Sequence, residues 1–252
     1  MAKYKYRYRL ELQFLGFRYS GWQHHPDQNT VQGRLDKTLR FVFKHENFTT
    51  FGQGRTDAKV SAEQFYVLLL TKLPVSELFF DEMNSNLPND MALLDFQAME
   101  ENYDLMGDVA KKTYSYRFSF GKTKEVFKAA TVQYFKWDLD LEVISKGVDL
   151  LNKTEDFTCF TVKENRGKDN RRSVLISHII EESPGIYRLD FTASGFLRYQ
   201  IRLMMGALIL LSRNEMVEDD FIRLTQGGPG LVKYIAGGSG LCLTKVALKS
   251  LL

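Results

Sequence analysis

The chain has 252 residues, 44% of them apolar and 26% charged, with 19 Phe and 12 Tyr, which allows a substantial core and excludes a disordered chain. No uninterrupted apolar run reaches the roughly 18 residues that span a bilayer, and Met1 to Leu12 alternates charge with Tyr instead of forming a signal peptide, so a globular cytoplasmic protein is expected. A net charge of +3 does not by itself mark a nucleic-acid binder, and Cys159 and Cys242 are too few and too far apart for a zinc site or a disulfide framework.

From Lys3 to Phe14 the residues Tyr4, Tyr6, Tyr8, Leu10, Leu12 and Phe14 alternate with charged or amide side chains, which predicts a strand with one covered face. After a turn-rich stretch through Pro26, the spacing of Val31, Leu35, Leu39 and Val42 predicts a helix whose apolar stripe packs on that strand. Phe65 to Leu70 reads as a buried strand. Pro74 and Ser76 open a short helix ending before Pro88, and Ala92 to Met99 is the next strand, so the first half reads β-α-β-α-β. The second half repeats the logic, with strands over Thr113 to Phe120 and Thr131 to Trp137 and a helix carrying Ile144, Val148 and Leu151. Val174 to Glu181 and Tyr187 to Thr192 form an antiparallel hairpin about Ser183-Pro184-Gly185. A helix follows with Leu197, Ile201, Met204, Leu208 and Leu211 on one face, then a short helix over Asp219 to Gln226, a break at Gly227-Gly228-Pro229-Gly230, and a closing strand from Leu241 to Leu248. The class is α+β in two similar halves, divided between residues 105 and 106.

The most informative segment runs from Phe51 to Gln64, immediately before an apolar strand. Gly52 and Gly54 permit a tight backbone path, and Arg55 and Asp57 bring opposite charges to one short loop. On its own residues this is a Gly-rich turn with a local ion pair; one Gly-x-Gly is too weak for a phosphate loop, and the Walker Gly-Lys-Ser/Thr is absent. By the same standard Tyr114, Tyr116, Phe118 and Phe120, at a period of two, are core-face aromatics, while Arg198 and Arg202, four residues apart, form a polar stripe on one helical face. The cationic run Lys163, Arg166, Lys168, Arg171 and Arg172 reads as solvated surface, and His24-His25 has no companion ligands at metal-site spacing. Neither a metal nor a cofactor is expected.

Gly54-Arg55-Thr56-Asp57-Ala58 resembles the signature loop of the TruA-type pseudouridine synthases, in which the aspartate is catalytic. The resemblance continues in order through Gly16-Phe17-Arg18-Tyr19-Ser20-Gly21-Trp22-Gln23, Thr30-Val31-Gln32-Gly33-Arg34-Leu35, Asn86-Leu87-Pro88, Thr113-Tyr114-Ser115-Tyr116, Asp156-Phe157-Thr158-Cys159-Phe160, Gly195 to Arg202 and Gly240-Leu241-Cys242-Leu243. It implies two similar α/β subdomains forming a continuous, mainly antiparallel sheet, with helices on one face and an RNA-binding cleft on the other. Residues 1–105 would carry the aspartate loop, and 106–252 would complete the active site and supply a homodimer interface. The implied activity is uridine isomerisation in the tRNA anticodon stem-loop, without cofactor. Asp57 would act as nucleophile at C1′ or as base at the adjacent sugar carbon. By the same resemblance Tyr114 stacks on the target base, Arg202 pairs with the aspartate, and Arg55 contacts phosphate or fills the space of an extruded nucleotide, with Thr56 and Arg198 also on the substrate side.

The sequence departs from the family pattern at Lys59 and Ser61, where Gly and His are common, which points to an altered substrate groove. It departs also at Asp104 to Ala110, which lacks a His-Ala-Arg character associated with RNA binding, and at Leu203, where Asn is expected. These departures leave open another structured RNA as substrate, or a noncatalytic RNA-binding paralogue. A metal-dependent nuclease would need a carboxylate cluster around the loop, and none is apparent in the sequence.

Overall fold

The strict alternation after Tyr4 and the 3.6-residue spacing after Thr30 set the two kinds of element that recur through the chain. A computed structural model describes residues 4–122, 124–165 and 167–251; Met1, Lys3 and Arg166 of the segments discussed above lie outside them. The elements in chain order are β1 (Tyr6–Phe14), α1 (Val31–Phe43), β2 (Phe48–Gly52), β3 (Ser61–Thr71), α2 (Phe79–Asn86), β4 (Met91–Ala98), α3 (Leu105–Asp108), β5 (Val109–Phe120), β6 (Gln133–Phe135), α4 (Leu141–Asn152), β7 (Leu175–Ile176), β8 (Ile180–Ser183), β9 (Ile186–Ala193), α5 (Gln200–Ser212), α6 (Glu218–Thr225) and β10 (Leu241–Leu248). The fold is α+β with mostly antiparallel pairing. Two compact units result, Met1–Ala110 with Cys242–Leu252, and Lys111–Leu241. The division therefore falls after Ala110 and not after residue 105, and the C-terminal strand counts with the first unit because β10 pairs in parallel with β3, Cys242 opposite Ser61 and Leu243 opposite Ala62.

In the first unit β1 lies between β3 and β4, antiparallel to both, and β2 adds to β3 over Val67 to Thr71. The face carrying Tyr8, Leu10, Leu12 and Phe14 is buried. Ring contacts across it run from Phe43 of α1 to Phe79 of α2, then to Phe96 of β4 and Tyr8 of β1, at 5.7, 5.1 and 6.3 Å between centroids. The Thr30 hydroxyl caps α1 by accepting from Gly33 N–H. The other face of β1 is covered as well at Arg9, which is only 6% exposed; its guanidinium lies 5.4 Å from the Tyr66 ring centroid and donates to Gln97 Oε1 at 2.8 Å. Strand β2 is absent from the sequence-based order because its five residues run directly into the Gly-rich loop without a clean alternation.

In the second unit β9 lies between β5 and β7, with Tyr114 opposite Phe191 and Leu175 opposite Thr192, while β6 adds in parallel to the end of β5. The expected strand from Val174 to Glu181 is split into β7 and β8. At the break Ser177 N–H donates to Asp190 O, but Asp190 N–H is taken by the Ser177 hydroxyl, so a side chain replaces a backbone carbonyl in the ladder (both 2.9 Å). Helix α5 is apolar nearly all round and buried along its length, as befits a core helix. Among the described residues no helix is long and apolar enough to cross a membrane.

Candidate active site

In the first unit the segment from Gln53 to Val60 leaves β2 and enters β3, and neighbouring segments hold its backbone at several points. Trp22 N–H donates to Thr56 O at 3.1 Å, Lys59 N–H to Tyr19 O at 3.0 Å, and Val60 N–H to Asp57 O at 3.2 Å. Gly16 N–H donates to the Ser61 hydroxyl at 2.9 Å. The Trp22 indole packs against Phe65 at 4.4 Å and a 33° tilt, and lies where a side chain on Gly52 would go, a Cβ there meeting Trp22 Cε2 at 2.6 Å. Gly21 has φ +101°, and its own missing Cβ would stand 2.5 Å from Thr56 O. Backbone freedom at Gly21 is thus what lets two chain segments touch beside Asp57.

The supporting segment is itself anchored. Tyr19 hydroxyl donates to Asp90 Oδ1 at 2.9 Å and Arg18 Nε to Asp90 Oδ2 at 2.8 Å, while Leu15 N–H donates to Asp90 O at 2.9 Å. Burial, and then the bond to Asp90, push the Tyr19 hydroxyl up to about 12, so it stays a donor at neutral pH. Val31 and Gln32 N–H donate to the carbonyls of Gly21 and Trp22, and Gln32 Nε2 reaches back to Thr50 O at 3.1 Å. Segments around Gly16, Thr30 and Pro88, none of them adjoining it in sequence, therefore hold one loop. On it Arg55 is exposed, Asp57 is half-buried and Thr56 is buried. The Thr56 hydroxyl finds no hydrogen-bond partner among the described residues, and the residue acts through its carbonyl. Ser61, expected to shape a groove, is instead buried as the acceptor for Gly16.

In the second unit Tyr114 is half-buried on β5, its ring meeting the edge of Phe196 at 5.3 Å and 89°, whereas Tyr116 and Phe118 on the same face are fully buried. The Tyr116 hydroxyl donates to Gly237 O at 2.9 Å; burial, with a smaller push from Tyr234, raises it well above the ordinary tyrosine range, against an opposing pull from Arg202. Arg198 and Arg202 do not share a helical face as the spacing implied. Tyr199 sits at φ 61° and α5 starts only at Gln200, so Arg198 lies ahead of the helix. Both guanidiniums nevertheless lie over the Tyr199 ring, at 5.1 and 5.2 Å from its centroid. Arg202 Nε donates to Ala236 O at 2.7 Å, Ala236 N–H returns a bond to Arg202 O at 3.0 Å, and the Arg198 carbonyl accepts from Thr161 at 3.2 Å. One of these bonds holds the guanidinium at Nε and the other ties the Arg202 backbone to the same residue, which leaves the two terminal nitrogens of the fork as the pair that suits a carboxylate or phosphate.

A family model for tRNA pseudouridine synthase matches residues 151–229. Over 246 residues the chain is 30% identical to tRNA pseudouridine synthase A of Limosilactobacillus reuteri, covering 96% of each chain. The chain belongs to the tRNA pseudouridine synthase family. Other members of the family are similar over most of its length: tRNA pseudouridine synthase A of Exiguobacterium sibiricum is 31% identical over 221 residues, 87% of each chain. That of Lactobacillus acidophilus is 31% identical over 247 residues, 95% of this chain and 93% of the relative.

For a pseudouridine synthase family member, the Asp90 anchor, the Ser61 tie and the Ala236 bonds to Arg202 are the supporting residues that sequence reasoning missed. Asp90 carried no signal beyond lying just after Asn86-Leu87-Pro88, since its role depends on Tyr19, far away in sequence. Of the cationic run, Lys163, Lys168 and Arg171 are exposed, Arg172 is half-buried and Arg166 lies outside the described residues. Arg171 pairs with Asp169 at 3.1 Å and Arg172 donates to the Asp169 and Arg171 carbonyls. His24 and His25 are exposed, and among the described residues no group of three or more His, Cys, Asp or Glu could hold a metal ion.

Proposed function

We propose that this chain isomerises uridine to pseudouridine in transfer RNA, in the anticodon stem-loop, with Asp57 as the reacting carboxylate. The observation that carries the reading is Asp57 in Gly54-Arg55-Thr56-Asp57-Ala58, half-buried on a loop whose backbone is pinned by Trp22 and Tyr19 and whose exit is tied through the Ser61 hydroxyl to Gly16. The bond from C1′ to N1 breaks, the uracil turns, and C1′ bonds to C5; C5 loses its proton and N1 ends protonated, so no redox carrier is required. A carboxylate can open this sequence by attacking C1′, to be displaced when C5 attacks, or by taking a proton from the adjacent sugar carbon. Holding a loop this rigidly supports positioning as its contribution.

The same reading assigns Tyr114 to stacking on the target base and Arg202 to charge pairing with Asp57, which would keep the carboxylate ionised. Arg55, exposed on the loop, suits a phosphate contact, with Arg198 beside Arg202 on the RNA side; Thr56 contributes through its carbonyl. The active form in this reading is a cytoplasmic homodimer. Lys59 and Leu203, where the family pattern differs, favour keeping a second structured RNA in view, and a map of pseudouridines in total RNA with and without the gene separates the two. Asp57→Asn tests the core of the proposal: it should fold, bind tRNA and form no product in a single turnover. Wild-type-like product from homogeneous Asp57→Asn protein would remove Asp57 from the chemistry.

A further inference from the structure

We infer that the single helical turn Val126–Lys128 makes a second contact with RNA, in which Phe127 stacks on an unpaired nucleotide of the transfer RNA outside the target-uridine site. The inference rests on the tRNA reading above. Phe127 is 104% exposed and Val126 66% exposed, so this ring contributes no burial to the fold. An exposed ring on a loose loop would need no account, but this tip is built. Lys128 N–H donates to Glu125 O and Ala129 N–H to Val126 O, both at 3.1 Å, and Thr131 and Val132 N–H close on Lys128 O at 3.0 and 2.8 Å. At its base the Tyr134 hydroxyl donates to Gly121 O at 2.5 Å and Val132 is buried. The ring is therefore held out in advance, with little ordering left to do on binding.

Charge decides the occupant. Lys122, Lys124 and Lys128 are all exposed around the tip, and Glu125 is the only acid between Gly121 and Val132. An exposed aromatic face on a segment that carries three exposed lysines suits a splayed base with its phosphates, since an unpaired base offers its face to stack on while a paired base does not. Position agrees. The tip follows the end of β5, six residues beyond Tyr114, or about 20 Å along the strand at 3.3 Å per residue. Both groups belong to one unit, with Phe127 in the segment that leaves the end of β5.

The test uses the full chain and bulk tRNA from a strain lacking the gene. Wild-type binding and pseudouridine formation are measured first; their failure would sink the tRNA reading itself. With those in hand, Phe127→Ala should raise Kd roughly 5- to 100-fold, the range for removing one stacked base, and lower kcat/KM in step, with melting unchanged. Phe127→Trp should bind, and its added indole fluorescence should be quenched as tRNA is titrated. Replacing Lys122, Lys124 and Lys128 with Gln should flatten the salt dependence of log Kd by about 2, at ~0.7 for each phosphate that is no longer neutralised. An unchanged Kd for Phe127→Ala, or an unquenched Trp on a wild-type-active background, overturns this inference alone. So does an effect of Phe127→Ala confined to sedimentation or to binding of anionic vesicles, which would give the ring to a second copy or to a lipid surface.

Discussion

Gly21→Ala isolates the positioning of the Asp57 loop from its chemistry, because Gly21 carries no functional group yet touches the loop's backbone. At φ +101° an L side chain costs about 1–2 kcal/mol. The new methyl would also stand 2.5 Å from Thr56 O and 3.2 Å from the Asp57 carbonyl carbon, and no rotamer change relieves a clash with backbone. The loop must then move, stretching the 3.1 Å bond from Trp22 to Thr56, itself worth about 1 kcal/mol. The sum, about 2–3 kcal/mol, is survivable for a domain stable by roughly 5–15 kcal/mol. The catalytic loss is larger in proportion, since a displacement of about 1 Å at a reacting group can cost about 100-fold in rate. Single-turnover pseudouridine formation at saturating tRNA should therefore fall by about two orders of magnitude while the protein still melts cooperatively. Gly185→Ala is the control: φ is +74° but nothing lies within 4 Å of the added methyl, so it incurs the backbone cost alone. Wild-type rates from Gly21→Ala, or an equal loss from Gly185→Ala, would refute the idea that this close approach positions Asp57.

Three further outcomes are expected. Arg202→Met should lower single-turnover rate much more than tRNA affinity, with Lys rescuing only in part because it lacks the planar fork that the Ala236 bond orients; a near-normal rate would return Arg202 to a structural role. Gly206→Ala, favourable by helix propensity alone, should instead lower Tm by several degrees, because its Cβ would meet the Tyr234 carbonyl oxygen at 1.9 Å and overpacking costs about 1–3 kcal/mol. Finally, Tyr19 and Tyr66 are both pushed up to about 12, each first by burial and then by Asp90 and Glu11 respectively. A raised folded value favours the protonated form, so this stability is full below about pH 10 and is lost as pH rises toward and through 12. An ultraviolet titration showing every tyrosine ionising near its ordinary value in the folded protein would contradict it.

What could be read from the sequence was what periodicity controls. The alternation from Tyr6 to Phe14 and the spacing of Val31, Leu35 and Leu39 report burial directly, and both elements form where those patterns place them. What escaped depends on one side chain meeting a distant backbone. Ser177 interrupts a strand by taking Asp190 N–H, and Tyr199 delays a helix by adopting φ 61°, which pulls Arg198 off the face it would share with Arg202. Tyr114 is the intermediate case. Its period of two assigns it to the face of Tyr116 and Phe118, but the alternation does not tell that its ring is half-buried, edge-on to Phe196, while the other two are sealed.

The same distinction explains the positions where the chain departs from its family's pattern. Lys59 occupies a left-handed residue at φ 66°, a conformation natural to the Gly common there, and its ammonium lies 5.5 Å from the Phe17 ring centroid, an attraction that offsets part of the backbone cost. Ser61 stands where His is common and is committed to Gly16 N–H. Asp104 caps the short α3 through Met106 N–H, and Asp108 accepts from Ser250 N–H at 2.8 Å, the Ser250 hydroxyl at 2.6 Å and Tyr103 at 2.9 Å. Burial would raise the Asp108 carboxyl, but those three donors outweigh it and hold the group below its ordinary value. Asp104 to Ala110 carries two acids and no cation, and both acids are used within the fold. On the tRNA reading, the exposed Lys122, Lys124 and Lys128 around Phe127 supply cations that Asp104 to Ala110 lacks.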